Sequence, residues 1–183
     1  MSDVQTASDI VDVRVGLGRV VAVASTKAKL EMCKQMGADE VLDYSDGPKA
    51  LKGKLKELGG GDVIFDVVGG DYSEVALRSL NWNGRHLVIG FAAGSIPKVA
   101  LNLALLKNCA IVGVFWGAWR QREQDASDAQ LQELGRLFLE KIIRPRVTKT
   151  YSLDGAAQCL EDFADRKVMG KVVVVPCKAS SKL

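Results

Sequence analysis

Histidine is nearly missing from this chain: His86 is the only one in 183 residues. A lone imidazole does not make a zinc site, which needs clustered ligands, and it leaves little for acid–base or triad chemistry. Its place inside the apolar run RHLVIG marks it as a structural strand residue. The cysteines at 33, 109, 159 and 177 are far apart and form no C-x-x-C pair, so neither a metal nor a redox motif is written there. Free thiols in a reducing compartment are the simplest account. No apolar run approaches the length of a membrane span, and the opening MSDVQTASDIVDVR has no signal-peptide core. An excess of one charge is absent too. The net charge of +3 is too small to point to nucleic acid, and no Arg/Lys stripe interleaves with aromatics. Lys49, Lys52, Lys54 and Lys56 cluster, but Leu51, Leu55 and Leu58 lie on the opposite helical face, which makes the cluster a solvated surface.

What is present is an ordinary globular composition, with enough chain for one domain and a substantial core. The informative stretch is Arg19–Tyr44. Small and β-branched residues from Val20 to Ala24 stop at Ser25-Thr26. A helix-period segment follows, with Leu30, Cys33 and Met36 spaced by three, closed by Gly37; then comes Val41-Leu42. Strand, helix, strand in so short a span is a βαβ unit, which calls for a parallel sheet covered on both faces. Ligands of such sheets bind at the carboxyl ends of the strands, where Ser25, Thr26, Lys27, Lys29 and Tyr44 stand. An NAD site wants an acidic residue at the end of that first strand to hold the ribose 2′-OH, and none precedes Glu31. A hydroxyl and an ammonium suit a 2′-phosphate, so the site favours NADP; the same residues also read as ordinary solvated loop positions.

Upstream, residues 1–9 read as a disordered tail and IVDVRV (10–15) as a half-buried strand. Gly16-Leu17-Gly18 is too short for a parallel crossover and permits only an antiparallel hairpin. Its glycines imitate two positions of a G-x-G-x-x-G fingerprint, but Val21 occupies the third and a strand follows rather than a helix, which argues against phosphate binding there. Downstream, Gly47-Pro48 opens a helix that Gly59-Gly60-Gly61 closes. DVIFDVV (62–68) predicts a continuous buried strand, and Asp71 with Glu74 a capping box on a helix burying Val75, Leu77 and Leu80. Asn81–Gly84 predicts a turn into the strand 85–90, followed by the loop FAAGS. A short helix (99–108), a strand (109–115), and a long helix capped by Ser127 with Gln130 come next. That helix is expected to carry Leu131, Leu134, Leu137, Phe138 and Ile142 inward until Arg144-Pro145 ends it. A helix from Asp154 with Ala157, Leu160 and Phe163, and a strand over 171–176, complete one doubly wound, mostly parallel α/β domain.

The order VVAVAS…K, MGADEVLDY, DVIFDVVGGD, GRHLVIGFAAG, LLKNCAIVGVFWGAW and GKVVVVP resembles the medium-chain dehydrogenase/reductase superfamily, in its zinc-free quinone oxidoreductase (ζ-crystallin-like) branch. The resemblance implies an incomplete Rossmann-type domain over 19–144 that takes NADPH, and a segment 145–176 that packs on the catalytic domain in the family. Residues 1–18 form an atypical start and 177–183 a tail. By the same resemblance Ser25, Lys29 and Tyr44 surround the adenosine 2′-phosphate, while Gly90, Phe91 and Ala92 lie beside the nicotinamide. Val68 and Gly69 form the neighbouring turn, and Lys171 sits close to the cofactor. It also implies a homodimer through the edge of strand 109–115; Trp116 and Trp119 then read as dimer packing or as substrate contacts.

Set against that family's pattern, a shortened form is expected, without the N-terminal catalytic domain, the central first strand and its A-x-G-G-x-G turn. The expected function is hydride transfer from NADPH to a quinone or enone, in a shortened form with weak or no activity. The alternative is a catalytically inactive nucleotide-binding or dimerising module. No residue stands out as a catalytic acid. The terminal Ser181-Lys182-Leu183 is a receptor-read peroxisomal address, so import into peroxisomes is expected, with the cytoplasm as the alternative.

Overall fold

The computed structural model describes residues 18–165 and 167–176. The readings of residues 1–9, 10–15 and Gly16-Leu17, of Cys177 and of the terminal tripeptide therefore lie outside the described residues. The alternation expected from the sequence is present: β1 (Val21–Ala24), α1 (Lys27–Gln35), β2 (Glu40–Asp43), α2 (Pro48–Glu57), β3 (Gly61–Asp66), α3 (Asp71–Ser79) and β4 (Leu80–Val88) follow one another. Then come α4 (Asn102–Lys107), β5 (Ala110–Gly113), α5 (Trp116–Arg122) and α6 (Gln124–Leu139). The chain continues with β6 (Val147–Ser152), a 3-10 turn at Leu153–Gly155, α7 (Ala156–Ala164) and β7 (Lys171–Val175). Glycine and proline punctuate it as read: Gly37 follows α1 at φ 101°, and Pro48 opens α2 behind Gly47.

Every described strand pair is parallel, and the strands fall into three groups: β1–β2, β3–β4–β5 and β6–β7. A Rossmann sheet runs 3-2-1-4-5-6. Here β2–β1 corresponds to 3-2 and β3–β4–β5 to 4-5-6, and no described strand joins β1 to β3. Helix α3 holds the two groups together. Its Val75 packs with Tyr44, Leu51, Val23 and Leu42, while its Leu77 packs with Leu80, Leu103 and Ile64. At the other end of the junction the Arg19 guanidinium donates to the Leu58 carbonyl at 2.9 Å.

Several local expectations change. The strand ending at Asp66 is not buried throughout: Val63 is 52% and Phe65 60% exposed, because α3 covers only the face carrying Ile64 and nothing described covers the other. Asn81–Gly84 is not a separate turn but part of β4, whose pairing with β3 shifts register between Gly61 and Val63. The capping box at α3 does not form. Its cap is Gly70 without a side-chain hydrogen bond, and Glu74 instead pairs with Arg78. Helix α6 begins at Gln124, three residues before Ser127, which is buried inside it. Most of its apolar stripe does not face inward: Leu131, Leu134, Phe138 and Ile142 are exposed, and Leu137 is half-buried. On α7, Leu160 and Phe163 are exposed as well, and Ala157 is exposed beside them.

Candidate functional site

Two rims stand at the carboxyl ends of the strands. The first is built by β1, β2 and α1. Ser25 follows β1 and Tyr44 follows β2; the register pairs Ala24 with Asp43, and the Tyr44 amide donates to the Ala24 carbonyl at 3.2 Å. Thr26 caps α1 by accepting from the Lys29 amide at 3.3 Å, which sets Lys29 in the first turn. That first turn carries no acidic residue. Lys29 is only 8% exposed, and among the described residues its ammonium has no hydrogen-bond or ion-pair partner.

The second rim is built by the ends of β3 and β4. Asp66, 7% exposed, accepts from the Val68 amide at 2.9 Å, the Gly69 amide at 3.0 Å and the Ser73 hydroxyl at 2.6 Å. Nε2 of His86 lies 3.2 Å from the same carboxylate, while its buried Nδ1 has no partner among the described residues. Burial pushes the Asp66 carboxyl up, but the bonds from His86, Gly69, Ser73 and Val68 outweigh it and hold the group below the usual carboxylate range. The loop after β4 is laced onto this turn: the Gly90 amide reaches the Asp66 carbonyl, Ala92 reaches Val67, and Ala93 reaches Val68 at 2.9 Å. Gly69 takes φ 71°, and a Cβ on it would stand 2.8 Å from Phe91 Cδ1. Any side chain at 69 would therefore collide with Phe91. Tyr72 links the rims, its ring 5.1 Å from that of Tyr44 and its hydroxyl 3.4 Å from the Tyr44 carbonyl.

The structure thus brings Ser25, Lys29 and Tyr44 to one rim and Val68, Gly69, Gly90, Phe91 and Ala92 to the other. Lys171 lies at the amino end of another strand. It opens β7, and its amide binds the carbonyl of Arg146, whose guanidinium meets Gln35 at the far end of α1 from Lys29. Trp116 is engaged locally, donating to Gln130 at 3.3 Å beneath the Arg120 guanidinium. Asp66, Ser73 and Tyr72 were missed as organisers of the site, although an aspartate shortly before Gly69-Gly70 at a strand end is a recognisable turn signal. Among the described residues no group of three or more His, Cys, Asp or Glu side chains could hold a metal ion.

The zinc-binding dehydrogenase family profile matches residues 12–132. Bovine quinone oxidoreductase-like protein 2 is 35% identical over 172 residues, covering 92% of this chain and 49% of that protein. The structure of mycobacterial Rv1454c complexed with NADPH superposes with a TM-score of 0.76 at 28% identity, covering 86% of this chain and 49% of that one. The quinone oxidoreductase of Thermus thermophilus, solved alone and with NADPH, gives 0.70 at 30% identity, covering 85% and 49%. The chain spans about half the length of these relatives. A profile that covers well over half of its length shows that the chain belongs to the zinc-binding dehydrogenase family, where it matches the C-terminal Rossmann-like half of zinc-free, quinone oxidoreductase-like medium-chain reductases.

Proposed function

We propose that this chain is the cofactor-binding half of an NADPH-dependent reductase acting on a quinone or enone. The observation that carries the reading is Lys29, a largely buried side chain whose ammonium meets solvent and has no partner among the described residues, on the rim of Ser25 and Tyr44 and with no carboxylate in its helical turn. A phosphate monoester would pair with that ammonium through charge-assisted hydrogen bonds that a bare ribose hydroxyl does not match. NADPH would supply the hydride. At the second rim Gly69 and the Gly90–Ala92 loop would hold the nicotinamide end against backbone, fixed in place by Asp66. Turnover needs a second wall to the cleft, so the chain alone is expected to bind cofactor with weak or no activity.

Calorimetric titration tests this. NADPH is expected to bind with a dissociation constant below about ten micromolar, and NADH at least about tenfold more weakly. Lys29→Met should bring NADPH to the NADH level. Equal affinities would remove the 2′-phosphate assignment. No heat at roughly millimolar cofactor would favour an inactive module that pairs through the exposed β5 edge.

A further inference from the structure

We infer that the cleft between α2, α3 and residues 95–98 is a second ligand site, for a soluble phosphate monoester with a small apolar body. The cleft has a volume of about 550 Å³ and is lined from three separate stretches of the chain. Lys49 and Lys52 come from α2, Arg78 from α3, and Lys98 from the loop before α4. None of the residues placed at the two cofactor rims lines it. The lysines of α2 divide between two roles. Lys54 is committed, donating to the Asp43 carbonyl at 2.8 Å and to the Asp46 carboxylate at 2.9 Å. Lys49 and Lys52, three residues apart on one helical face, have no hydrogen-bond or ion-pair partner among the described residues, and neither has Lys98.

Charge selects the occupant. The cleft gathers four cations against two carboxylates, Asp71 and Glu74, and both carboxylates belong to α3. Glu74 is already drawn onto Arg78 at 2.7 Å, so the walls from α2 and from residues 95–98 carry ammonium groups and no acid. A phosphate monoester dianion balances the excess, and lysines bind phosphate as point charges. The walls are fixed before anything binds. The Gly70 amide donates to the Ser95 carbonyl at 3.2 Å, which fastens the loop to the start of α3. Gly70 takes φ 59°, and a Cβ on it would stand 3.1 Å from Ser95 Oγ. That hydroxyl, on the lining and without a partner among the described residues, is one more donor. Apolar lining comes from Val75, held by the core, and from Ile96, which is 74% exposed. Inorganic phosphate would satisfy the ammonium groups and leave Ile96 wet; an ester with an apolar body covers both.

Titration of the full chain with phenyl phosphate, followed by amide chemical shifts, tests this. Shifts at Gly70, Asp71, Ser95 and Ile96 are expected to saturate with a dissociation constant below about one millimolar. Inorganic phosphate and benzoate should each bind at least about tenfold more weakly, one lacking the apolar body and the other the second charge. Lys52→Glu combined with Lys98→Glu should weaken phenyl phosphate by at least about tenfold, while Lys29→Met leaves its binding unchanged. Both reversed side chains are exposed, so the double variant keeps its fold, read from unaltered shifts elsewhere. The absence of saturable shifts would overturn the inference. So would equal binding of the three anions, which marks charge screening, or loss of the shifts in Lys29→Met, which assigns the ligand to the first rim. Binding to phosphatidic acid vesicles with no response to phenyl phosphate would overturn it in favour of a lipid headgroup. NADPH enters none of these titrations, so failure here is distinct from failure of the cofactor reading.

Discussion

Gly69 shows how much one missing side chain can organise. Its φ of 71° and the 2.8 Å approach that a Cβ would make to Phe91 let the turn after β3 and the loop after β4 touch. Gly69→Ala is expected to cost about 1–3 kcal/mol in urea unfolding, from backbone strain and displaced packing. Asp66 anchors the same turn, and its carboxyl titrates below the usual range when folded. The unfolded chain therefore takes up this proton first. The stabilisation is complete above the ordinary carboxylate pKa of about 3.9 and is lost as pH falls through the lower folded value. Urea midpoints measured against pH should drop more gently below about pH 4 in Asp66→Asn than in the parent chain. That Ser25 and Tyr44 stand at strand ends, with Lys29 in the first turn of the helix between, was legible because polar residues stand out at the ends of apolar strands. Asp66 was not, because it sits within DVIFDVV, a run read as one continuous buried strand, and hydrogen-bond partners distant in sequence leave no periodic trace.

Among the elements, α6 separates what a hydrophobic period reveals from what it cannot. The spacing of Leu131, Leu134, Phe138 and Ile142 identifies a helix with one apolar side, and a helix forms there. Period alone does not say what that side meets. Trp116 of α5 reaches Gln130, but the stripe itself stays in water. Leu134→Ser and Phe138→Ser should then change stability by no more than about 0.5 kcal/mol, the range of surface substitutions. Leu77→Ala, which empties a site 1% exposed at the contact of α3 with β3 and β4, should cost about 2–5 kcal/mol. Comparing denaturant midpoints of these variants checks both figures. Helix ends were read less well than helix bodies: Ser127 and Asp71 carry capping chemistry, but the chain caps α6 one turn earlier and starts α3 behind a glycine.

For the molecule as a whole, parallel strands joined by helices were legible from alternation and loop length. Left unread was the partition of the strands into separate groups, since hydrogen bonding between distant segments depends on which edges find partners. We propose peroxisomal import through Ser181-Lys182-Leu183; a fluorescent protein fused in front of the chain should enter the organelle, and deleting Leu183 should leave it in the cytosol. Unchanged import after the deletion would remove that proposal.

The Tyr72–Tyr44 contact has a wider consequence. Between the rims it stands with the Val75–Leu51 packing that joins α3 to the first strand group, and a dinucleotide lying across both sides would brace that joint. Keeping the cofactor and keeping the halves aligned then become one event. Occupancy would show as resistance to heat before any product accumulates.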